Sequence, residues 1–265
     1  MPDAFYLPTD DPERYVATPA TEGPWSSGLQ HGGPPSALLT RAVERLPSSL
    51  DGPAQVTRLT VEFLGGVPVA EVAVRATVAR PGRSVELVEA ELHAAGRVVL
   101  RARVWRIRRT PVELPAEVVT APAPPPSRPA EPSRFTEPRW QTGYLRAVDW
   151  RFVDGHFERP GPASVWARQR IPLVAGEEPS PLQRVTLLAD SGNGLSRLLD
   201  IAHWWFINTE LTVHLHRQPV DEWLHVRAGT TLDEHGSGLA STVLSDATGP
   251  LGRGAQALMV GRRAG

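Results

Sequence analysis

The chain repeats itself, and the repeat limits the folds it can adopt. Leu59-Thr60-Val61 opens a strand-like stretch in the first half, and Leu211-Thr212-Val213 opens one in the second. At the same separation further on, Val74-Arg75-Ala76 stands against Val226-Arg227-Ala228. Each half then shows a Gly turn, Arg80-Pro81-Gly82-Arg83 or Glu234-His235-Gly236-Ser237, followed by a strand. A second turn at Gly96 or Gly249 leads into a last strand, Val98–Ile107 or Leu251–Val260. Order and spacing repeated in this way point to one structural unit used twice. The strand reading rests on alternation and β-branched content in stretches such as VAEVAVRATVA and SVELVEAELHA. Upstream of each strand block lies one helix-like segment. Ser36–Leu46 follows Pro34-Pro35, and Gly192–Ile201 carries Leu195, Leu198 and Leu199, with Ala202 just beyond it, near helical spacing. The predicted class is α+β: a helix and three or four long antiparallel strands, twice.

Between the copies, Thr110 to Pro138 is rich in Pro and Ala and has no hydrophobic period. Proline at this density favours an extended connection. The expected division is therefore a first unit over 1–110, a linker over 111–135 and a second unit over 136–265. From Thr110 to about Pro132 the linker is expected on the surface, without a helix of its own. The 265 residues are 41% hydrophobic, enough for a sizeable core. A formal net charge of −1 argues against a general nucleic-acid binder. All 28 basic residues are Arg, which excludes Schiff-base, P-loop and kinase lysines. Without cysteine there is no disulfide, thiolate metal site or thiol nucleophile. The sequence shows neither a signal-peptide pattern at Met1–Phe5 nor an apolar run of membrane-spanning length, so a cytoplasmic protein is expected.

Several stretches carry a family likeness. They are Gly28-Leu-Gln-His-Gly-Gly-Pro-Pro-Ser-Ala-Leu-Leu39, Leu187-Leu-Ala-Asp190, Phe206-Ile-Asn-Thr-Glu-Leu-Thr-Val-His-Leu-His-Arg217, Glu222-Trp-Leu224 and Gly252-Arg-Gly-Ala-Gln-Ala-Leu-Met-Val260. In this order the chain resembles the acyl-CoA thioesterase II-like proteins of double-hotdog fold, in which two long antiparallel sheets each wrap a central helix. The resemblance implies hydrolysis of an acyl-CoA substrate by an activated water, with no metal and no cofactor. It also implies a water-holding triad, whose members match Asp190 and Gln256, with Asn208 in the middle and Thr209 one step away. A homodimer, paired through strand edges or the outer sheet face, is the expected assembly.

The residues add readings of their own. Asp190 precedes Ser191-Gly192-Asn193-Gly194, so it reads either as an N-cap or as a carboxylate kept ionised by a helix dipole. Gln256 lies in an otherwise apolar strand and needs a partner if it points inward. On a regular strand Asn208 shares a face with Thr212 and His214, and Thr209 with Leu211 and Val213, so only one can reach Asp190 without a bulge. His31-Gly32-Gly33 reads as a tight turn before a helix. It also resembles the Gly-containing entry to the central helix of the first hotdog, which implies amides that receive a thioester oxygen or a phosphate. It is also similar to the His-Gly-Gly loop of α/β-hydrolases, against which stands the lack of a Gly-x-Ser-x-Gly elbow. His214 and His216 share a strand face without a third metal-ligand pattern nearby. Two other functions compete: a non-catalytic acyl-CoA-binding protein, and an enoyl-CoA hydratase, whose acid/base His is missing from Asp190–Leu195.

Overall fold

The computed structural model describes residues 2–118, 123–141 and 143–263, so linker positions 119–122 lie outside the described residues. Its thirteen strands are β1 (Tyr6–Pro8), β2 (Arg14–Ala17), β3 (Ala54–Phe63), β4 (Glu71–Arg80), β5 (Val85–Ala94), β6 (Arg97–Arg108), β7 (Val148–Asp154), β8 (Ala163–Gln169), β9 (Trp204–Asn208), β10 (Glu210–Leu215), β11 (Trp223–Leu232), β12 (Ser237–Asp246) and β13 (Gly249–Arg262). Among the described residues four α-helical segments accompany them: α1 (Gly33–Arg45), α2 (Gly143–Arg146), α3 (Pro181–Ala189) and α4 (Gly192–Leu195).

The strands form one continuous sheet in the order β1-β2-β4-β5-β6-β3-β10-β13-β12-β11-β8-β7, with β9 also on β13. The order is palindromic about the β3–β10 pair. There the two copies of the Leu-Thr-Val triplet meet each other: Val61 lies opposite Leu211, Thr60 opposite Thr212 and Leu59 opposite Val213. The two threonine hydroxyls sit 3.1 Å apart at the centre of this antiparallel pairing. The sequence repeat thus becomes a pseudo-two-fold relation inside one sheet.

Alternation decides which side faces in. In β5, Glu86, Val88, Ala90, Leu92 and Ala94 are buried while the residues between them are partly open. Glu86 is tolerated inside because Arg106, Ser48 and Ser49 bind its carboxylate. Helix α1 lies against β4, β5 and β6 on one side and α3 on the other. It is buried on nearly all faces, and its inward hydroxyls bond back along the helix, Ser36 to Gly32 O and Thr40 to Ser36 O. Thr40 and Thr186 also meet across the α1–α3 contact. Between the halves, the buried Arg41 of α1 reaches Glu177, just before α3, at 2.6 and 2.7 Å.

The expected helix over Gly192–Ile201 is corrected. Helical structure lies mainly earlier, in α3, with one further turn in α4; Ser196–Ile201 is not helical, and Leu198 is exposed. The start signal is Ser180-Pro181, where the Ser hydroxyl caps Gln183 N–H and Pro occupies the first turn. The described linker residues are mostly exposed, as expected of their composition, but include one 3-10 turn, Ala116–Val118. The linker is tied to β7, β8 and β11: Trp166 donates to Pro126 O, Arg151 to Pro129 O and Ala130 O, and Arg128 lies 4.4 Å over the Trp223 ring. Among the described residues, no helix is long and apolar enough to cross a membrane.

Candidate active site

Asp190 closes α3. Its backbone is still helical, at φ −66° and ψ −13°, and α4 begins two residues later. The carboxylate therefore sits at the C-terminal end of the longer helix, and the expected stabilisation by a helix N-terminus gives way to a different environment. It is 3% exposed and projects into a cluster assembled from both halves.

Two amides grip it from the sheet. Gln256 of β13 is buried because Gly254, Gln256 and Leu258 all face inward. Its Nε2 donates to Asp190 O at 3.1 Å and to Asp190 Oδ1 at 3.3 Å, while its Oε1 accepts Asn193 N–H at 3.0 Å. The amide orientation is thereby fixed at both ends. From β9, Asn208 Nδ2 donates to the same Asp190 Oδ1 at 3.0 Å. Thr209 turns outward, is exposed, and donates its hydroxyl and its N–H to Ala257 O. The strand is thus irregular at this point, and Asn208 is the residue that reaches Asp190.

The first half supplies the other side. His31 Nδ1 lies 3.1 Å from Asp190 Oδ2 and also accepts Gly33 N–H at 3.0 Å. The imidazole stacks on Tyr144, with ring centroids 3.9 Å apart, and the Tyr144 hydroxyl bonds Leu187 O and Ser191 Oγ. The two glycines are required by space. A Cβ on Gly32 would lie 2.7 Å from Asp190 Oδ2, and one on Gly33 would lie 2.3 Å from Leu187 O. Only a chain without side chains lets the start of α1 come so close to the end of α3.

Burial outweighs the donors. Removal from water pushes the Asp190 carboxyl from 3.8 up to about 7, although the Asn208 and Gln256 amides and the Gly33 N–H all pull it down. Burial lowers His31 to about 3, so its ring is neutral at ordinary pH. With Nδ1 already accepting the Gly33 N–H, the neutral imidazole faces Asp190 as an acceptor and suits its protonated form. A carboxyl that titrates near neutrality, fixed by three side chains, can take a proton from water and give it back.

Asp190, Asn208, Gln256 and the His31-Gly32-Gly33 turn come together, and Thr209 stands apart. His214 and His216 are both exposed, and among the described residues no group of three His, Asp or Glu could hold a metal ion. The sequence reading passed over Tyr144, Ser191, Asn193 and Glu210. Glu210 carried the one available signal, a charged residue between Asn208 and the apolar face of β10.

The family model for the acyl-CoA thioesterase N-terminal domain matches residues 21–107, and that for the C-terminal domain matches 117–260. No curated protein matches the sequence. Similar solved structures include a candidate thioesterase II from Thermobifida fusca, with 22% identity, coverage of 97% of this chain and 95% of that one, and a TM-score of 0.72. A conserved hot-dog-fold protein from Alicyclobacillus acidocaldarius is 19% identical over 99% and 97% of the two chains, with a TM-score of 0.71. An acyl-CoA thioesterase II from Mycobacterium marinum is 16% identical over 97% and 95%, with a TM-score of 0.67. These likenesses give the fold, an α+β hot dog with a large antiparallel sheet. The family models match across both halves and give more: the chain belongs to the acyl-CoA thioesterase family, whose activity is the hydrolysis of acyl-CoA thioesters.

Proposed function

We propose that Asp190 is the general base of this hydrolysis. One observation carries the reading: a carboxyl 3% exposed and poised at about 7, held by amides from two strands and faced by a neutral imidazole. Ionised Asp190 takes a proton from water, and the oxygen attacks the thioester carbonyl. The tetrahedral intermediate collapses with cleavage of the C–S bond, and the protonated Asp190 returns its proton to the departing CoA thiolate. Fatty acid and CoA are released, and the base is restored. Asn208 and Gln256 fix the carboxylate and the direction of its lone pairs, so the ordering is done before the reaction begins. His31, Gly32 and Gly33 act on Asp190 itself, through Nδ1, through close approach and through the Gly33 N–H. In this reading 1–110 and 136–265 are two hotdogs joined by the 111–135 linker, with α1 and α3–α4 as their central helices. Asp190 belongs to the second.

The test is release of free thiol from a panel of acyl-CoAs by the parent and by Asp190→Ala. Turnover in the parent that disappears in the variant supports the assignment. Equal turnover in both overturns it.

A further inference from the structure

The catalytic reading leaves open what turns Asn208 inward. Asn208 pairs opposite Leu258 and Thr212 opposite Ala255, so four steps along β9–β10 match three along β13. The extra residue is a β-bulge at Thr209-Glu210. It changes the parity of the strand: Phe206 is buried before it, and Leu211 and Val213 after it. Without it, Asn208 would share a face with Thr212 instead of joining the inward side.

Glu210 holds the bulge closed. Its Oε1 accepts the Ala257 N–H at 2.9 Å, taking the place that a strand carbonyl fills in a regular ladder. Its Oε2 accepts the Thr212 hydroxyl at 2.8 Å, and that hydroxyl lies 3.1 Å from Thr60 Oγ1 at the junction of the halves. The same residue's carbonyl accepts the second N–H of the Asn208 amide at 3.3 Å, while the first goes to Asp190. Side chain and main chain of one residue thus set both the place of the bulge and the rotation of the amide.

We propose that Glu210 is a positioning residue for hydrolysis, a staple whose length rather than charge aims Asn208 at Asp190. The inference rests on Asp190 being the base. Glu210 touches neither that carboxylate nor the reacting atoms and acts through Asn208.

Four variants test it: Glu210→Ala, Glu210→Asp, Glu210→Gln and Asn208→Ala, with the double variant of Glu210→Ala and Asn208→Ala. Glu210→Ala is expected to lower kcat on the order of ten- to a hundredfold with little change in KM, because the amide is misplaced by about an ångström. It should also move the acid limb of the rate profile to higher pH, since the Asn208 bond favours the ionised carboxylate. The titratable neighbours of Asp190 are His31 and Tyr144, which this variant leaves in place. Glu210→Gln keeps the length and an acceptor for Ala257 N–H, and should retain most activity. Glu210→Asp keeps the charge, is too short, and should behave like Glu210→Ala; it also carries the test if the alanine variant does not fold. The double variant should be no worse than Asn208→Ala alone.

A second readout does not need turnover. The side-chain amide resonance of Asn208 in 15N-resolved NMR spectra should shift in Glu210→Asp and stay in Glu210→Gln. If the parent hydrolyses nothing but this pattern appears, the reading of Asp190 fails and the staple stands. An unmoved resonance in Glu210→Asp, or unaltered kcat and acid limb in a folded Glu210→Ala, overturns the proposal.

Discussion

Replacing Asp190 by Asn should stabilise the protein at alkaline pH while abolishing its chemistry. The unfolded chain releases the Asp190 proton at its ordinary 3.8, whereas the folded chain holds it to about 7. Between those values folding takes up a proton, so the stability associated with this group is full below 3.8, falls as the pH rises, and is gone above about 7. The whole span is worth about 4 kcal/mol, and the part between pH 5 and pH 8 about 3 kcal/mol. Asn is close to isosteric with the protonated carboxyl. Its oxygen can accept from Asn208 and Gln256, and its NH2 can donate to His31 Nδ1. Urea unfolding of parent and variant, followed by tryptophan fluorescence at pH 5, 6.5 and 8, isolates the term, because all other titrations are common to both proteins. The stability gap should move in favour of the variant by about 3 kcal/mol from pH 5 to pH 8. Thiol release by the variant should fall at least about a hundredfold. A gap independent of pH, or one that grows toward acid, would refute the claim that Asp190 is buried at the cost of its charge.

Three further outcomes follow from the same geometry. The kcat/KM of the parent for an acyl-CoA should rise about tenfold per pH unit below about 7 and level off above it, because only ionised Asp190 accepts a proton; a flat profile from pH 5 to 9 contradicts this. Gln256→Leu leaves Asn193 N–H and Asp190 O without their partner, which should cost about 1–3 kcal/mol in urea unfolding and move the acid limb of the rate upward. Gly33→Ala forces a Cβ to within 2.3 Å of Leu187 O, pushing α1 from α3, and should cost about 1–3 kcal/mol in thermal unfolding; an unchanged Tm would show that the helices can separate freely.

Local pattern gave the first helix and the strands β3–β6 and β10–β13 because local physics decides them, while β1, β2, β7, β8 and β9 carry no such signal in the repeat. Pro34-Pro35 marks the start of α1, and alternation in Val85–Ala94 appears unchanged in the burial of β5. The second helix was misplaced because the spacing of Leu195, Leu198, Leu199 and Ala202 resembles a helical stripe. The true start, Ser180-Pro181, is a short signal before a helix that ends at Ala189 with Asp190 as its C-cap. Asp190, Asn208 and Gln256 were legible through the family likeness. Strand parity could not choose between Asn208 and Thr209, since the answer depends on a bulge held by Glu210 across to Ala257. The His31–Asp190 contact and the Tyr144 stack arise only when the halves dock. No periodicity within one half encodes a contact made between two.

The site draws His31, Gly32 and Gly33 from before the linker and Asp190, Asn208 and Gln256 from after it. The linker therefore acts as a tether that sets an effective concentration. While it is intact, the halves meet as parts of one molecule; once cut, they meet as two solutes, and occupancy of the site becomes a matter of dilution. Proteolytic nicking at its exposed prolines should leave activity that follows a dissociation curve as the nicked protein is diluted, where intact protein keeps a constant specific activity. In the proposed reading, hydrolysis by this chain is in that sense a report on self-association, with the β3–β10 pairing and the α1–α3 contact as the interface and the tether as its concentration term.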